Sequence, residues 1–497
     1  MANLPPKFRW AIFFALALLA LAVRLPQLGV RPMHTDESIN AYIVGQLLGG
    51  EKFHYDPQDR HGPALAAETL PAARLFGAKQ FADLTEVQLR LVPVLTGVVT
   101  VLMFGAGVEM FGFIACLVAA ILFAVAPLPV YYSRYFIHET LFVAATFGFI
   151  LSGWRACKNN SLGFAALAGG CAGLMLACKE TAIIHFVALG VALLCGWWLQ
   201  PREKLPAPKI LATTLVAFLF TVMILFTWFG RNWSVFTDLN HAVPRLVARA
   251  GGEGHEKPFG YYFYLLDPMF VLSFVAAAGV YGAICEAVGS TRKTSLLLIV
   301  YGLAVFVIYS AIPYKTPWLA LNLWLPLALI CGFGVQAFWE HIKSPAARWG
   351  MAIALAILLA KLGTQTKVLA FDQPADEKNP LAYAHTSEDL LRLPARLREL
   401  AQPGKLSSPR IAVVAADAWP LPWYLRKFSQ VGFWQPNQET GNADFFITTT
   451  DVAGKLAERL KSFQPEFFGW RPNVLLILWT PLPEKKAAEV LLPSMQP

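Results

Sequence analysis

Apolar runs of membrane-spanning length recur from Trp10 to Lys361, many near the ~20 residues that a helix needs to cross a bilayer. That repetition constrains the fold more than any single motif does. Hydrophobic residues make up 56% of the chain and charged residues 15%, with a mean hydropathy of +0.50, whereas soluble domains carry roughly a quarter charged residues. A spanning helix satisfies its own backbone hydrogen bonds, and a barrel would show short alternating segments instead. The composition therefore predicts an α-helical polytopic membrane protein. The net charge of +9 fits Lys and Arg retained in cytoplasmic loops and calls for no nucleic-acid partner.

Spans are expected at about 10–24, 89–110, 113–131, 140–155, 162–178, 182–199, 210–229, 263–285, 295–312, 318–338 and 349–364, eleven in all. The first follows Lys7 and Arg9 without a small-residue cleavage site and reads as a retained signal anchor. Arg155, Lys158, Arg202, Lys204, Lys209, Arg292, Lys293, Lys343 and Arg348 fall in loops on the same side as Lys7 and Arg9. That side should be cytoplasmic, with the 25–88 loop, the 230–262 loop and the C-terminal segment outside. All seven cysteines lie in or beside predicted spans, so no disulfide framework is implied.

Residues 1–365 thus form a transmembrane module and 366–497 a separate extracytoplasmic domain. In the latter, 410–415, 443–448 and 474–479 read as strands, while 388–401 and 452–463 read as helices, which predicts a soluble α/β fold. It has no glycine-rich phosphate loop. The first outer loop, 25–88, carries helical patterns at Ser38–Leu48 and Pro63–Phe76 suited to interfacial helices.

Chemistry-bearing residues gather on the outer side. Met33-His34-Thr35-Asp36-Glu37-Ser38 follows the first span, and adjacent carboxylates beside a membrane helix suggest a functional site. Arg134 lies in Tyr131-Tyr132-Ser133-Arg134-Tyr135-Phe136-Ile137-His138-Glu139, where it could grip a phosphate bidentately or act as a snorkelling anchor in an aromatic belt. Lys179-Glu180 could serve a ligand or pair internally. Lys315, in Tyr314-Lys315-Thr316-Pro317-Trp318, could serve a ligand or anchor the interface. The stretch 251–262 could close over a site or only connect spans.

The segments His34-Thr35-Asp36-Glu37-Ser38, His61-Gly62-Pro63, Tyr132-Ser133-Arg134-Tyr135, Lys179-Glu180-Thr181-Ala182, Lys315-Thr316-Pro317-Trp318 and Pro422-Trp423-Tyr424-Leu425-Arg426 resemble the C-type (GT-C) glycosyltransferase superfamily. Its relatives include protein O-mannosyltransferases and the aminoarabinose transferase of lipid A. These segments resemble most closely a prokaryotic flippase-activity-associated membrane family. The resemblance implies a polyprenyl-phosphate sugar donor, inversion at the anomeric carbon and residence in a prokaryotic cytoplasmic membrane. It implies Asp36 as general base, with Glu37 orienting acceptor or base. Arg134 would hold the donor phosphate, with Lys179 and Lys315 as further candidates. His34, His61, Tyr132, Tyr135, His138, Glu139, Glu180 and Tyr314 would line the site or meet a glycan, lipid or protein acceptor. A divalent metal is used by some members and not others, and this chain lacks a clustered Asp-x-Asp pattern. A non-catalytic or transport-associated partner of a lipid-linked sugar flippase is the competing function. Against a transporter, the charged groups sit at the outer ends of spans and the halves do not repeat.

Overall fold

The computed structural model describes residues 5–57, 60–199, 206–252, 254–266, 278–279, 281–282, 292–401 and 408–482. The chain divides into two compact units: Met1–Leu28, Gly50–Gly77 and Thr85–Pro374 in the first, and Gly29–Gly49, Ala78–Leu84 and Ala375–Pro497 in the second. Two pieces of the 25–88 loop therefore belong with the tail.

In chain order the helices begin with α1 (Pro6–Arg24), α2 (Thr35–Leu48), α3 (Ala64–Leu75), α4 (Glu86–Phe111), α5 (Phe113–Val125), α6 (Pro127–Ser133) and α7 (Glu139–Asn159). They continue with α8 (Leu162–Cys178), α9 (Ala182–Leu199), α10 (Pro208–Phe226), α11 (Val235–Ala250), α12 (Tyr261–Leu266), α13 (Arg292–Ala311), α14 (Ala320–His341) and α15 (Pro345–Lys367). In the membrane unit α7 and α10 pack on α8, α14 on α5, α13 on α9 and α1 on α4.

Among the described residues, seven helices are long and apolar enough to cross a membrane: α1, α4, α7, α10, α13, and α14 and α15 with their short extensions. The pair α5–α6 is bent by 58° and makes an eighth if it is one span. The sequence predicts a single span over 113–131. Pro127 breaks it, because proline has no N–H for the helix ladder and drives Ala126 to an extended conformation, φ −71° and ψ 148°. The expected spans at 162–178 and 182–199 are present as shorter apolar helices, and the one at 263–285 lies largely outside the described residues.

The break at Pro127 has a consequence in packing. A helix end leaves carbonyls without intrahelical partners. Arg24, buried at the end of α1, donates to Phe123 O (2.6 Å) and Ala124 O (2.9 Å) of the last turn of α5, and to Ser133 Oγ (2.7 Å). Arg134, just past α6, returns the favour to the end of α1 through Arg24 O (2.7 Å), Pro26 O (2.5 Å) and Gln27 O (3.4 Å), with Phe371 stacked on its guanidinium at 4.2 Å.

The second unit contains α16 (Leu393–Leu400), β1 (Arg410–Val414), α17 (Leu421–Leu425), β2 (Gln430–Trp434), β3 (Phe445–Thr449), β4 (Phe463–Arg471) and β5 (Val474–Pro481). The five strands form one sheet in the order β2-β1-β3-β5-β4; β1 runs parallel to β2 and β3, and β5 antiparallel to β3 and β4. The expected strands are β1, β3 and β5, which are the three interior ones. The edges β2 and β4 escape the sequence reading because they are half exposed and carry Gly432, Pro465 and Gly469, residues that dilute a strand signal but suit an edge. The helix expected at 452–463 shrinks to short turns, and Phe463 starts β4.

Helix α2 is built into this second unit. Its residues Glu37, Ser38, Ala41, Ile43, Val44 and Leu47 are buried. Gly45 lets Phe81 press against the helix: a Cβ at position 45 would lie 2.6 Å from that of Phe81. Phe81 in turn meets Trp423 edge-on at 5.8 Å, and Arg426, stacked on Trp423 at 3.6 Å, donates to Leu84 O. The segment 422–426 thus ties 29–49 and 78–84 to the tail. Gly45→Val should therefore destabilise the protein by ~1–3 kcal/mol, the usual cost of overpacking, seen as a lower melting temperature. Gly363→Ala, where nothing lies within 4 Å, should leave the melting temperature unchanged or slightly raised.

Candidate functional site

Each unit brings together part of the expected set. In the second unit, α2 begins at Thr35 and places Asp36 and Glu37 in its first turn, where the helix dipole favours negative charge. The two carboxylates have opposite surroundings. Glu37 is fully buried; it accepts from the His34 backbone N–H (3.2 Å) and pairs with Arg31 at 3.5 Å. Asp36 has a side chain 44% exposed.

His34 caps the helix. Its Nδ1 accepts from the Asp36 N–H (3.1 Å) and its Nε2 lies 3.0 Å from Tyr383 O. Together these bonds require the neutral tautomer protonated on Nε2. Burial pushes the His34 imidazole below its ordinary value, against the opposing pull of Asp36, Glu37 and the Tyr383 carbonyl. His385 is buried beside it, ring centroids 5.6 Å apart, and burial likewise pushes its titration well down. Arg31, Tyr383 and His385 carry no sequence signal. Arg31 sits before an ordinary proline, and the other two are distant in the chain.

The membrane unit holds a second cluster. Glu139 and Lys179 form a buried ion pair. Next in the chain, Glu180 accepts from Tyr55 OH (2.8 Å) and meets His61 Nδ1 at 3.2 Å; the His61 ring lies 5.3 Å from that of His138. His138 in turn bonds the Gly62 backbone. Gly62 has to be glycine, since a Cβ there would sit 2.2 Å from Ala177 O. Burial raises the Glu180 carboxyl, but the hydrogen bond and charge of His61 and the Tyr55 hydroxyl outweigh it and bring Glu180 from 4.5 to about 2. Tyr55 is the member of this cluster not among the residues expected from the sequence.

The remaining expected residues have other partners. Arg134 caps α1 as described. Tyr132 and Tyr135 pack with Tyr131 in a buried aromatic group, and Tyr135 reaches Trp318 at 6.4 Å. Lys315 is buried, its ammonium on Ile312 O (2.5 Å) and Lys257 O (3.1 Å). It lies where 255–257 pairs with 313–315, a bridge joining Glu256 to Tyr314, with His255 against the Tyr314 ring at 4.9 Å. Residues 255–257 are thus held to the turn before α14. Among the described residues, no three His, Cys, Asp or Glu side chains converge as metal ligands.

The Glu180 arrangement has a pH signature. A carboxyl depressed in the folded state adds stability that is complete above its ordinary 4.5 and is lost as pH falls toward 2. Wild-type protein should lose thermal stability between pH 4.5 and 3. Glu180→Gln should be less stable at pH 7 and show a shallower loss in that window, measured by melting in detergent.

The family described as "Dolichyl-phosphate-mannose-protein mannosyltransferase" matches residues 73–228. No curated protein sequence gives a significant match. The structure of ArnT from Cupriavidus metallidurans bound to undecaprenyl phosphate superposes with a TM-score of 0.62 at 15% identity, covering 94% of this chain and 97% of that one. The archaeal oligosaccharyltransferase AglB from Archaeoglobus fulgidus, in complex with an inhibitory peptide and a dolichol-phosphate, gives 0.57 at 12% identity, covering 97% and 77%. The arabinofuranosyltransferase AftD from Mycobacteria gives 0.50 at 13% identity, covering 97% and 40%. The chain has the fold of the C-type membrane glycosyltransferases.

Proposed function

We propose that this protein is a membrane glycosyltransferase that moves a sugar from a polyprenyl-phosphate donor to an acceptor hydroxyl, with inversion, on the outer face of the membrane. The fold supports the reaction class, and ArnT, of like fold, was solved with undecaprenyl phosphate. The outer location rests on the distribution of Lys and Arg among the loops.

The observation that carries the reading is the contrast between Asp36 and Glu37. Glu37 is enclosed and bonded on both sides, whereas Asp36 presents a partly exposed carboxylate on a rigid helix start. Asp36 takes the proton of the acceptor hydroxyl as its oxygen bonds to the anomeric carbon. The bond from that carbon to the phosphate oxygen breaks, and polyprenyl phosphate leaves with the electron pair. The acceptor is a glycan, lipid or protein hydroxyl.

The departing phosphate needs a cation. Lys179 is neutralised by Glu139, and Arg134 is engaged with the end of α1. Lys315 is favoured: its ammonium meets two neutral carbonyls, fewer than hold the Arg134 guanidinium, and Arg134 and Lys179 are the other candidates.

The test is sugar transfer by reconstituted protein offered a panel of polyprenyl-phosphate sugars. Asp36→Asn should lower turnover by ~10²–10⁴-fold, the range for a general base, and full turnover in well-folded Asp36→Asn would sink the mechanism. Lys315→Met should raise the donor KM by roughly 10–100-fold, as loss of a charge-assisted bond predicts. An unchanged donor KM would return the phosphate to Arg134 or Lys179.

A further inference from the structure

The backbone that carries Asp36 is held from the C-terminal part of the chain. The Met33 N–H donates to Tyr424 Oη (2.8 Å), and Thr386 Oγ1 donates to Met33 O (2.8 Å). One residue on, the His34 ring joins the Tyr383 carbonyl on one side to the Asp36 N–H on the other. Tyr383, Thr386 and Tyr424 are 349 to 391 positions away in sequence from the residues they hold. Both flanks of residue 33, the cap residue and the amide of residue 36 are therefore fixed by groups of the same unit.

The cap is also chemically unusual. Helices are most often capped by Ser, Thr, Asp or Asn, whose oxygens accept from the first-turn amides. Here an imidazole nitrogen does so, and it can accept only while its other nitrogen carries the proton. The Tyr383 carbonyl enforces that tautomer. An Asn at this place would supply the acceptor without the second bond. A histidine supplies both, so it links the helix start to the tail.

We propose that His34 and Tyr424 are positioning residues for Asp36, and that orienting this carboxylate is a function of the C-terminal domain. The inference rests on the reading of Asp36 as the base. A carboxylate within ~3 Å of the hydroxyl it deprotonates must be held in direction as well as in charge, and loss of about 1 Å of placement can lower turnover by ~10²-fold. Among the described residues, Asp36 has no comparable holder on its own side chain: His34 Nδ1 lies 3.9 Å from its Oδ1. Its aim is therefore set mainly through the backbone.

The experiment uses the full chain in nanodiscs and compares His34→Leu, His34→Asn and Tyr424→Phe with wild type. It reads hydrogen exchange at the Asp36 amide together with kcat and donor KM for the transfer. In His34→Leu the Asp36 amide should exchange about five- to tenfold faster, as loss of a cap predicts, and kcat should fall at least about tenfold with donor KM nearly unchanged. His34→Asn, which keeps the cap but loses the bond to the Tyr383 carbonyl, should restore slow exchange at Asp36 and only part of kcat. Tyr424→Phe, which keeps the ring, should speed exchange at the Met33 amide and lower kcat in the same manner. Unchanged exchange in His34→Leu, or a kcat equal to wild type despite fast exchange, overturns the inference. If no donor is turned over by wild type, the enzymatic reading fails, while the exchange results still decide whether His34 and Tyr424 fix the Asp36 backbone.

Discussion

Carbonyls at helix ends govern much of the membrane unit. In a bilayer there is little water to satisfy them, and each one left bare costs several kcal/mol. Pro127 stops α5 and frees the carbonyls of Phe123 and Ala124; Arg24 takes both. The end of α1 that delivers Arg24 exposes its own carbonyls, and Arg134 takes those. The two arginines thus close a ring among α1, α5 and α6, so the turn at the broken span and the exit from the first span are a single construction.

That arrangement changes how a buried arginine is read. A bidentate guanidinium beside tyrosines in a turn between spans suggests a phosphate site, and its geometry suits carbonyls equally well. The same ambiguity attends Lys179. Its neighbour in sequence, Glu180, is not its partner; Glu139, forty positions earlier, is, and Glu180 turns instead to Tyr55 and His61. Adjacent residues at a turn point in different directions. The pairings therefore follow from how α7, α8 and the 50–63 segment approach one another, which no local pattern encodes.

What was legible in the chain follows the range of the forces involved. Apolar length predicts α1, α4, α7, α10 and α13–α15, because spanning a bilayer is a local requirement. The interior strands β1, β3 and β5 are legible for the same reason, being continuous apolar runs, while the half-exposed edges β2 and β4 are not. Asp36 drew attention as a carboxylate near a membrane helix. Its contrast in exposure with Glu37 did not, since that depends on Arg31 and on the burial of one face of α2. Nor does sequence suggest that 29–49 leaves the membrane unit. Gly45, Phe81 and Trp423 accomplish that by close contact among three distant segments.

The contrast between the two carboxylates also explains why the acidic pair is adjacent. A first-turn residue that is buried can anchor the helix start to what lies beneath it; Glu37 does so through Arg31 and the His34 amide. The residue before it is rotated by about 100° around a helix of 3.6 residues per turn, and so faces outward from the same anchored turn. Exposure leaves the Asp36 carboxylate accessible, as the proposed role of base requires, while the helix start that carries it is held through its neighbours at 34 and 37. A lone carboxylate on a loop would have the first property without the second, and a buried one the second without the first. An Asp-Glu step at a capped helix start supplies both within two residues.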